Sequence, residues 1–269
     1  MRSVVRNIFG RRGRARVAAL TAAVLTLGAG GAATLSGCRN GRFNAFTLSK
    51  SQEVQLGQQA AQDIERQNKI LKSGPDYERL QRVAARILPL AKRDYDVPFS
   101  VELIDSKEVN AFALPGGPIY FYKGLMDIAS SDDEIASVLG HEATHVVKRH
   151  SVKQISDAQT KGLLANLLLG SAGDLAQIAA GLALQIDQLK FSRGDEAESD
   201  ALGFQYLVEA GYDPYAMARM FEAMQRKAGR GGGPEWLQSH PLTAKRIEAA
   251  KERADAYTQE QRGQSAARP

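Results

Sequence analysis

Residues 131–150 read SDDEIASVLGHEATHVVKRH, and the reading of this stretch decides the fold. Ser131 followed three residues later by Glu134 is a capping-box pattern. Asp132, Asp133 and Glu134 put acids in the first turn, where the helix dipole favours them. The pattern predicts a helix running to about His150. Ile135, Val138, Leu139 and Val146 share one face and form its buried stripe. Into this helix falls His141-Glu142-Ala143-Thr144-His145, an H-E-x-x-H pattern. Four residues turn a helix by about 400°, so the two imidazoles stand on one face about 6 Å apart along the axis. That spacing lets both bind one metal ion at about 2.0–2.1 Å. Glu142 lies about 100° round, placed to face water at the metal without being a ligand. The rival reading is a chance match on the surface. Two histidines and a glutamate on so apolar a helix argue against it, because burying them unpaired is costly.

A catalytic zinc wants three protein ligands and one open position. Asp195, Glu196, Glu198 and Asp200 cluster later in the chain, on a helix expected from about Arg193 to Ala210. Glu196 and Asp200 share a face, and Glu198, about 200° from Glu196, points elsewhere. Spacing offers Glu196 as the third ligand and Asp200 as acceptor for a ligand histidine's N–H. It leaves the matter open, since an acidic helix start is commonly a solvated face.

Upstream, Ser49 and Gln52 form another capping box, opening a helical stripe through Val54, Leu56, Ala60, Ile64 and Leu71. Ser73-Gly74-Pro75 breaks it, and a second helix is expected from about Asp76 to Lys92. Phe99 to Ile104 alternates as a strand. Asn110 to Leu114 and Pro118 to Tyr122, joined by Pro115-Gly116-Gly117, read as a hairpin. Downstream, residues 161–189 suggest two short helices. Gly211 is the expected left-handed stop of the acidic helix. Helices from about Pro214 to Lys227 and Thr243 to Ala254 follow, separated by the glycine-rich loop 229–233. The fold class is α+β and predominantly helical, with a small sheet or hairpin beside the H-E-x-x-H helix. The domain is expected over 49–258, with a disordered tail over 259–269.

The first residues read differently. Six arginines and no acid lie in residues 1–37, and the apolar run Val17 to Leu35 follows the last of them. This is the pattern of a secretory signal. It ends in Leu35-Ser36-Gly37-Cys38, which resembles the bacterial lipobox, so Cys38 is the expected lipidation site, followed by a tether over 38–48. Cys38 is the only cysteine, so an intrachain disulfide is excluded. Taking six arginines from 35 basic residues leaves 29 against 30 acidic ones, a net charge of −1 rather than the +5 of the whole chain. A near-neutral body excludes nucleic acid as the expected partner.

H-E-x-x-H followed about fifty residues later by E-x-x-x-D resembles the gluzincins. The wider pattern is similar to the peptidase family of the CAAX prenyl proteases, the HtpX-type heat-shock protease and the Oma-type mitochondrial protease, in particular its bacterial periplasmic and lipoprotein branch. The resemblance covers about residues 49–255. It includes Asn110 through Gly117, Arg149-His150, Phe191-Ser192-Arg193, Ala210 through Pro214, and Ser239-His240-Pro241 with Arg246. Ser199 departs from it, standing where the family usually has alanine. The resemblance implies a zincin-like catalytic domain holding one zinc per chain on His141, His145 and Glu196, with Glu142 as base and Asp200 orienting a ligand histidine. It implies that His240 lies close to the metal, either aiding catalysis or occupying the open position in a latent state. Arg246 is expected to pair with an acid near the site or to contact substrate. His150 reads as structural.

The expected activity is zinc-dependent endopeptidase action on misfolded or unassembled proteins of the cell envelope, from a lipid anchor on the periplasmic side of the outer membrane. The hairpin, with Asn110, Gly116 and Gly117, is a candidate edge for adding a substrate strand. The competing function is a chaperone or scaffold of the outer-membrane assembly machinery whose site is latched. A structural zinc site with His240 as a permanent fourth ligand is the other rival.

Overall fold

Ser131 turns the chain into the helix that carries the motif. In the computed structural model, which describes residues 48–160, 179–184, 189–229 and 234–266, the Ser131 side chain accepts from Glu134 N at 3.3 Å. The other half of the capping box is replaced. The Glu134 carboxylate accepts from the backbone N and the hydroxyl of Ser130, both at 2.7 Å, instead of from Ser131 N. The helix is buried from Glu134 to Val146, not along one stripe alone. It is the central rod of the domain, so every polar residue on it has to find a partner inside the protein.

The elements in chain order are α1 (Lys50–Gln67), β1 (Ile70–Leu71), α2 (Pro75–Asp94), β2 (Ser100–Ile104), β3 (Ala111–Ala113), β4 (Pro118–Tyr122), α3 (Lys123–Ile128), the motif helix α4 (Asp132–Val147), α5 (His150–Thr160), α6 (Arg193–Glu209), α7 (Ala216–Ala228), α8 (Trp236–Ser239) and α9 (Ala244–Ala266). Residues 179–184 are also helical. The expected capping box of α1 is present, with Ser49 and Gln52 bonded reciprocally. The α1 stripe stops at Gln67, short of Leu71. Ile70 and Leu71 instead pair antiparallel with Ile104 and Leu103, because β2 offers them an open edge.

The sheet runs β1-β2-β4-β3. β4 lies parallel to β2 and antiparallel to β3. Strand alternation splits the sheet's side chains between two cores. Val101, Leu103, Ala111, Ala113, Ile119 and Phe121 pack with α2, α4, α6 and α7. Ile104, Phe112, Leu114, Tyr120 and Tyr122 pack with Leu56, Ala60 and Ile64 of α1 and Val152 and Ile155 of α5. The result is an α+β domain with helices on both faces of a small mixed sheet.

The hairpin turn serves packing. Gly116 and Gly117 have φ of 73° and 125°, which favours glycine. A Cβ on Gly116 would lie 2.5 Å from Val54 Cα, and one on Gly117 2.5 Å from the Pro98 carbonyl oxygen. Both glycines are buried against backbone, so the turn has a packing role of its own. Leu48, expected in the tether, is buried in the core beside α1. The helix α9 continues to Ala266, past residue 258, where a disordered tail was expected. Residues 259–266 are polar but contain no proline and only one glycine, so nothing stops the helix. Cys38, the signal segment, most of 161–189 and most of the loop 229–233 lie outside the described residues.

Candidate metal centre

Two helices cross to make the site. Gly140 of α4 and Gly203 of α6 sit face to face. A Cβ on Gly140 would come within 2.9 Å of the Gly203 carbonyl oxygen, and one on Gly203 within 2.8 Å of His141 N. This backbone contact brings the acidic face of α6 against the motif. Ser192 and Asp195 form the capping box that starts α6 and fixes its first turn.

His141 Nε2 and His145 Nε2 lie 3.1 Å apart. Glu196 reaches in from α6, with Oε2 3.6 Å from His141 Nε2 and Oε1 3.6 Å from His145 Nε2. His240, following the short helix α8, places Nδ1 3.3 Å from His141 Nε2 and 2.9 Å from Glu196 Oε1. Donor atoms of His141, His145, Glu196 and His240 all fall within 4.8 Å of one another, and all four residues are buried. This is the donor chemistry a zinc-type ion takes.

The hydrogen bonds around the donors decide whether they fit a cation. His141 Nδ1 lies 3.0 Å from Asp200 Oδ1, a carboxylate oxygen that accepts a hydrogen bond from Nδ1–H. His145 Nδ1 lies 3.0 Å from His150 Nδ1. With protons on the Nδ1 atoms, both Nε2 atoms carry lone pairs, and these face each other at 3.1 Å. Two lone pairs at that distance repel unless a cation lies between them. Glu196 Oε2 accepts no aligned hydrogen bond, although Arg246 Nη1 stands 2.6 Å away as its charge partner. The residues therefore fit a metal ion.

Arg246 pairs with an acid of the site. Its Nε and Nη2 each donate to Asp200 at 2.8 Å, a fork matched to a carboxylate. Its guanidinium also packs over the rings of Phe221 and Trp236. Asp200 is held at about 2: burial opposes the charge, but the bonds from His141 and Arg246 outweigh it. Burial pushes His141, His145 and His240 down and Glu196 up. Burial also raises Glu142 well above the usual carboxylate range, against the pull of its bond from Trp236.

Glu142 carries the partner that sequence reasoning missed. Trp236 Nε1 donates to Glu142 Oε1 at 2.9 Å, and the indole stacks on His240 with centroids 4.5 Å apart. Trp236 is the only tryptophan and stands one helical turn before His240. That spacing was the available signal. Phe191 packs on His145 with centroids 3.9 Å apart. Glu198 points away from the ligand cluster, as expected, and bonds Lys148 and His150 instead. Asn110 is buried, and its side chain accepts from Ala111 N. β3 is one of the two edge strands of the sheet among the described residues, as substrate-strand addition requires. Just upstream of it, Val109 is already occupied: its carbonyl accepts from Trp236 N at 3.2 Å and its N–H donates to Glu235 at 2.9 Å.

Comparison with known proteins agrees with this geometry. Residues 75–254 match peptidase family M48. The chain is 30% identical over 220 residues to the beta-barrel assembly-enhancing protease of Escherichia coli K12, covering 78% of this chain and 45% of that protein. It is 30% identical over 247 residues to the metalloprotease LoiP of the same organism, covering 84% and 94%. It is 29% identical over 218 residues to the mitochondrial metalloendopeptidase OMA1 of Schizosaccharomyces pombe, covering 78% and 63%. The chain thus spans about half the length of the first of these relatives.

Proposed function

The chain belongs to peptidase family M48, and on that premise we propose that it is a zinc-dependent endopeptidase with His141, His145 and Glu196 as ligands and Glu142 as general base. The observation that carries the reading is the pair of Nε2 atoms 3.1 Å apart beside the buried Glu196 carboxylate. When bound, zinc supplies Lewis acidity, activating water near neutral pH and polarising a peptide carbonyl. Glu142 takes the proton from water as its oxygen attacks the carbonyl carbon, then delivers it to the amine as the C–N bond breaks. Asp200 keeps the His141 proton on Nδ1, and Arg246 holds Asp200 and balances the Glu196 charge.

Protein and peptide substrates follow from the relatives' names as proteases. The name of the beta-barrel assembly-enhancing relatives supports a place beside outer-membrane protein assembly, with misfolded or unassembled chains as substrates. The signal over residues 1–37 and the lipobox at Cys38 support an outer-membrane lipid anchor on the periplasmic side. No helix among the described residues is long and apolar enough to cross a membrane.

The arrangement described is a closed one, and it favours a second reading in which activity is latched. Trp236 holds the Glu142 carboxylate, His240 holds Glu196, and the segment bearing both is tied to Val109 beside the sheet edge. In this reading His240→Ala raises casein hydrolysis; a fall instead assigns His240 a part in catalysis. The test of the first reading is casein hydrolysis before and after chelation. Activity lost with the metal and restored by added zinc supports it. Hydrolysis that survives complete metal removal contradicts it.

A further inference from the structure

All four histidines of the chain meet in this centre, and His150 has no part in either reading above. We propose that His150 is a positioning residue: it fixes the proton and the rotation of the His145 ring, and the left-handed turn at Arg149 is what brings it there. The inference rests on the metal-site reading.

The proton arithmetic is restrictive. Two imidazole nitrogens 3.0 Å apart share one proton, and here these are His145 Nδ1 and His150 Nδ1. With the proton on His145, its Nε2 is bare and faces His141 and Glu196 as a ligand must. His150 Nδ1 is then the acceptor, and its own proton sits on Nε2. That atom faces two acceptors, Glu198 Oε2 at 3.2 Å and Asp195 Oδ1 at 3.6 Å. With both rings neutral, every proton has one place. The reverse assignment puts the His145 proton on Nε2, aimed at His141, and turns the bare His150 Nε2 toward two carboxylates. With a metal held at His145 Nε2, that tautomer is disfavoured at both ends. Ligand histidines are ordinarily fixed by a carboxylate or carbonyl, as Asp200 fixes His141. At His145 a neutral ring relays the same constraint from Glu198 and Asp195.

The backbone supplies an independent observation. Had α4 continued, residue 150 would stand about 140° round from His145, on another face. The helix instead ends at Val147, and Arg149 adopts φ 58°, the one positive φ of a non-glycine residue among the described residues. Such a conformation is unfavourable for an L side chain and persists only where the surroundings impose it. Here they do: Arg149 pairs with buried Glu53, and its Nη2 donates to the Leu48 carbonyl at 2.6 Å. Tyr95 donates to the same Glu53 at 2.7 Å. The turn folds α5 back so that its first residue, His150, lies against His145, with Ser199 Oγ 3.5 Å from His150 Nδ1.

The test is made on the full chain. Long-range nitrogen–proton NMR correlations of the four histidine rings, zinc-loaded and zinc-free, read the tautomers directly. The expected result is a proton on Nδ1 of His145 and on Nε2 of His150. A His150 ring protonated at Nδ1 overturns the proposal without any variant being made. Chelator competition then measures zinc affinity. His150→Leu is expected to weaken it about 10–100-fold and to change the visible spectrum of the cobalt-substituted protein. His150→Asn, whose Oδ1 can accept from His145 Nδ1, is expected to restore most of the loss at an unfolding temperature like that of His150→Leu. Zinc affinity within twofold of wild type in His150→Leu overturns the proposal. A wild-type chain that binds no zinc would instead sink the metal-site reading, whatever the tautomer of His150.

Discussion

Asp200 shows how much of the site is carried by single residues. Its carboxylate accepts hydrogen bonds from His141 Nδ1 and from the Arg246 fork, and against the cost of burial these hold it at about 2. A carboxylate whose folded pKa lies below its unfolded value, here 3.8, adds stability above that value. The contribution fades as pH falls through about 2. The shift corresponds to about 2 kcal/mol. In zinc-free protein, Asp200→Asn should therefore be less stable than wild type at pH 6, and the gap should narrow between about pH 4 and pH 2. Urea unfolding across that range checks it; a gap independent of pH contradicts the assignment. The residues of this site differed in how far the sequence announced them. His141, Glu142 and His145 are legible because one helical turn relates them. Glu196 and Asp200 needed the family resemblance to choose among four neighbouring acids. The one-turn spacing from His240 put Trp236 near the site, but nothing in local periodicity says which way an indole after a glycine-rich loop will turn, so its bond to Glu142 was not legible.

Between elements, the controlling contact is the crossing of α4 on α6 at Gly140 and Gly203. Any side chain there meets backbone, which cannot rotate away. Gly203→Ala should force the helices apart, costing about 1–3 kcal/mol by overpacking. Because the same crossing sets the reach of Glu196 to the histidines, zinc affinity should fall together with stability. A variant that loses stability but binds zinc as wild type does would uncouple the two. The helices themselves were largely readable from caps and stripes: Ser49–Gln52 opens α1, and Gly211, with φ 75°, follows the end of α6. Two boundaries were not. α1 gives way to β1 because β2 supplies a pairing edge, a tertiary effect invisible to local pattern. α4 stops before His150 because Arg149 is bound by Glu53 and Leu48, residues about a hundred positions away.

Across the whole molecule, the helices and sheet bury a cluster of histidines and acids at the centre of the larger core. Leaving such groups without their cation is costly, so a bound ion should add to folding stability. For a ligand present at 1,000 times its dissociation constant the gain is about 4 kcal/mol. Chelation should accordingly lower the unfolding temperature of wild type by several degrees, and zinc should restore it. An unfolding temperature indifferent to chelator would mean that the buried donors are satisfied without metal. The α+β class and the helical majority were legible from periodicity alone. The two-core arrangement was not, because it depends on β4 lying parallel to β2, which no turn signal announces. A zinc peptidase working through Glu142 is checked by measuring zinc content and casein cleavage side by side in wild type and Glu142→Gln. Both proteins should hold one zinc per chain, and only wild type should cleave. Equal cleavage by the two proteins would contradict it.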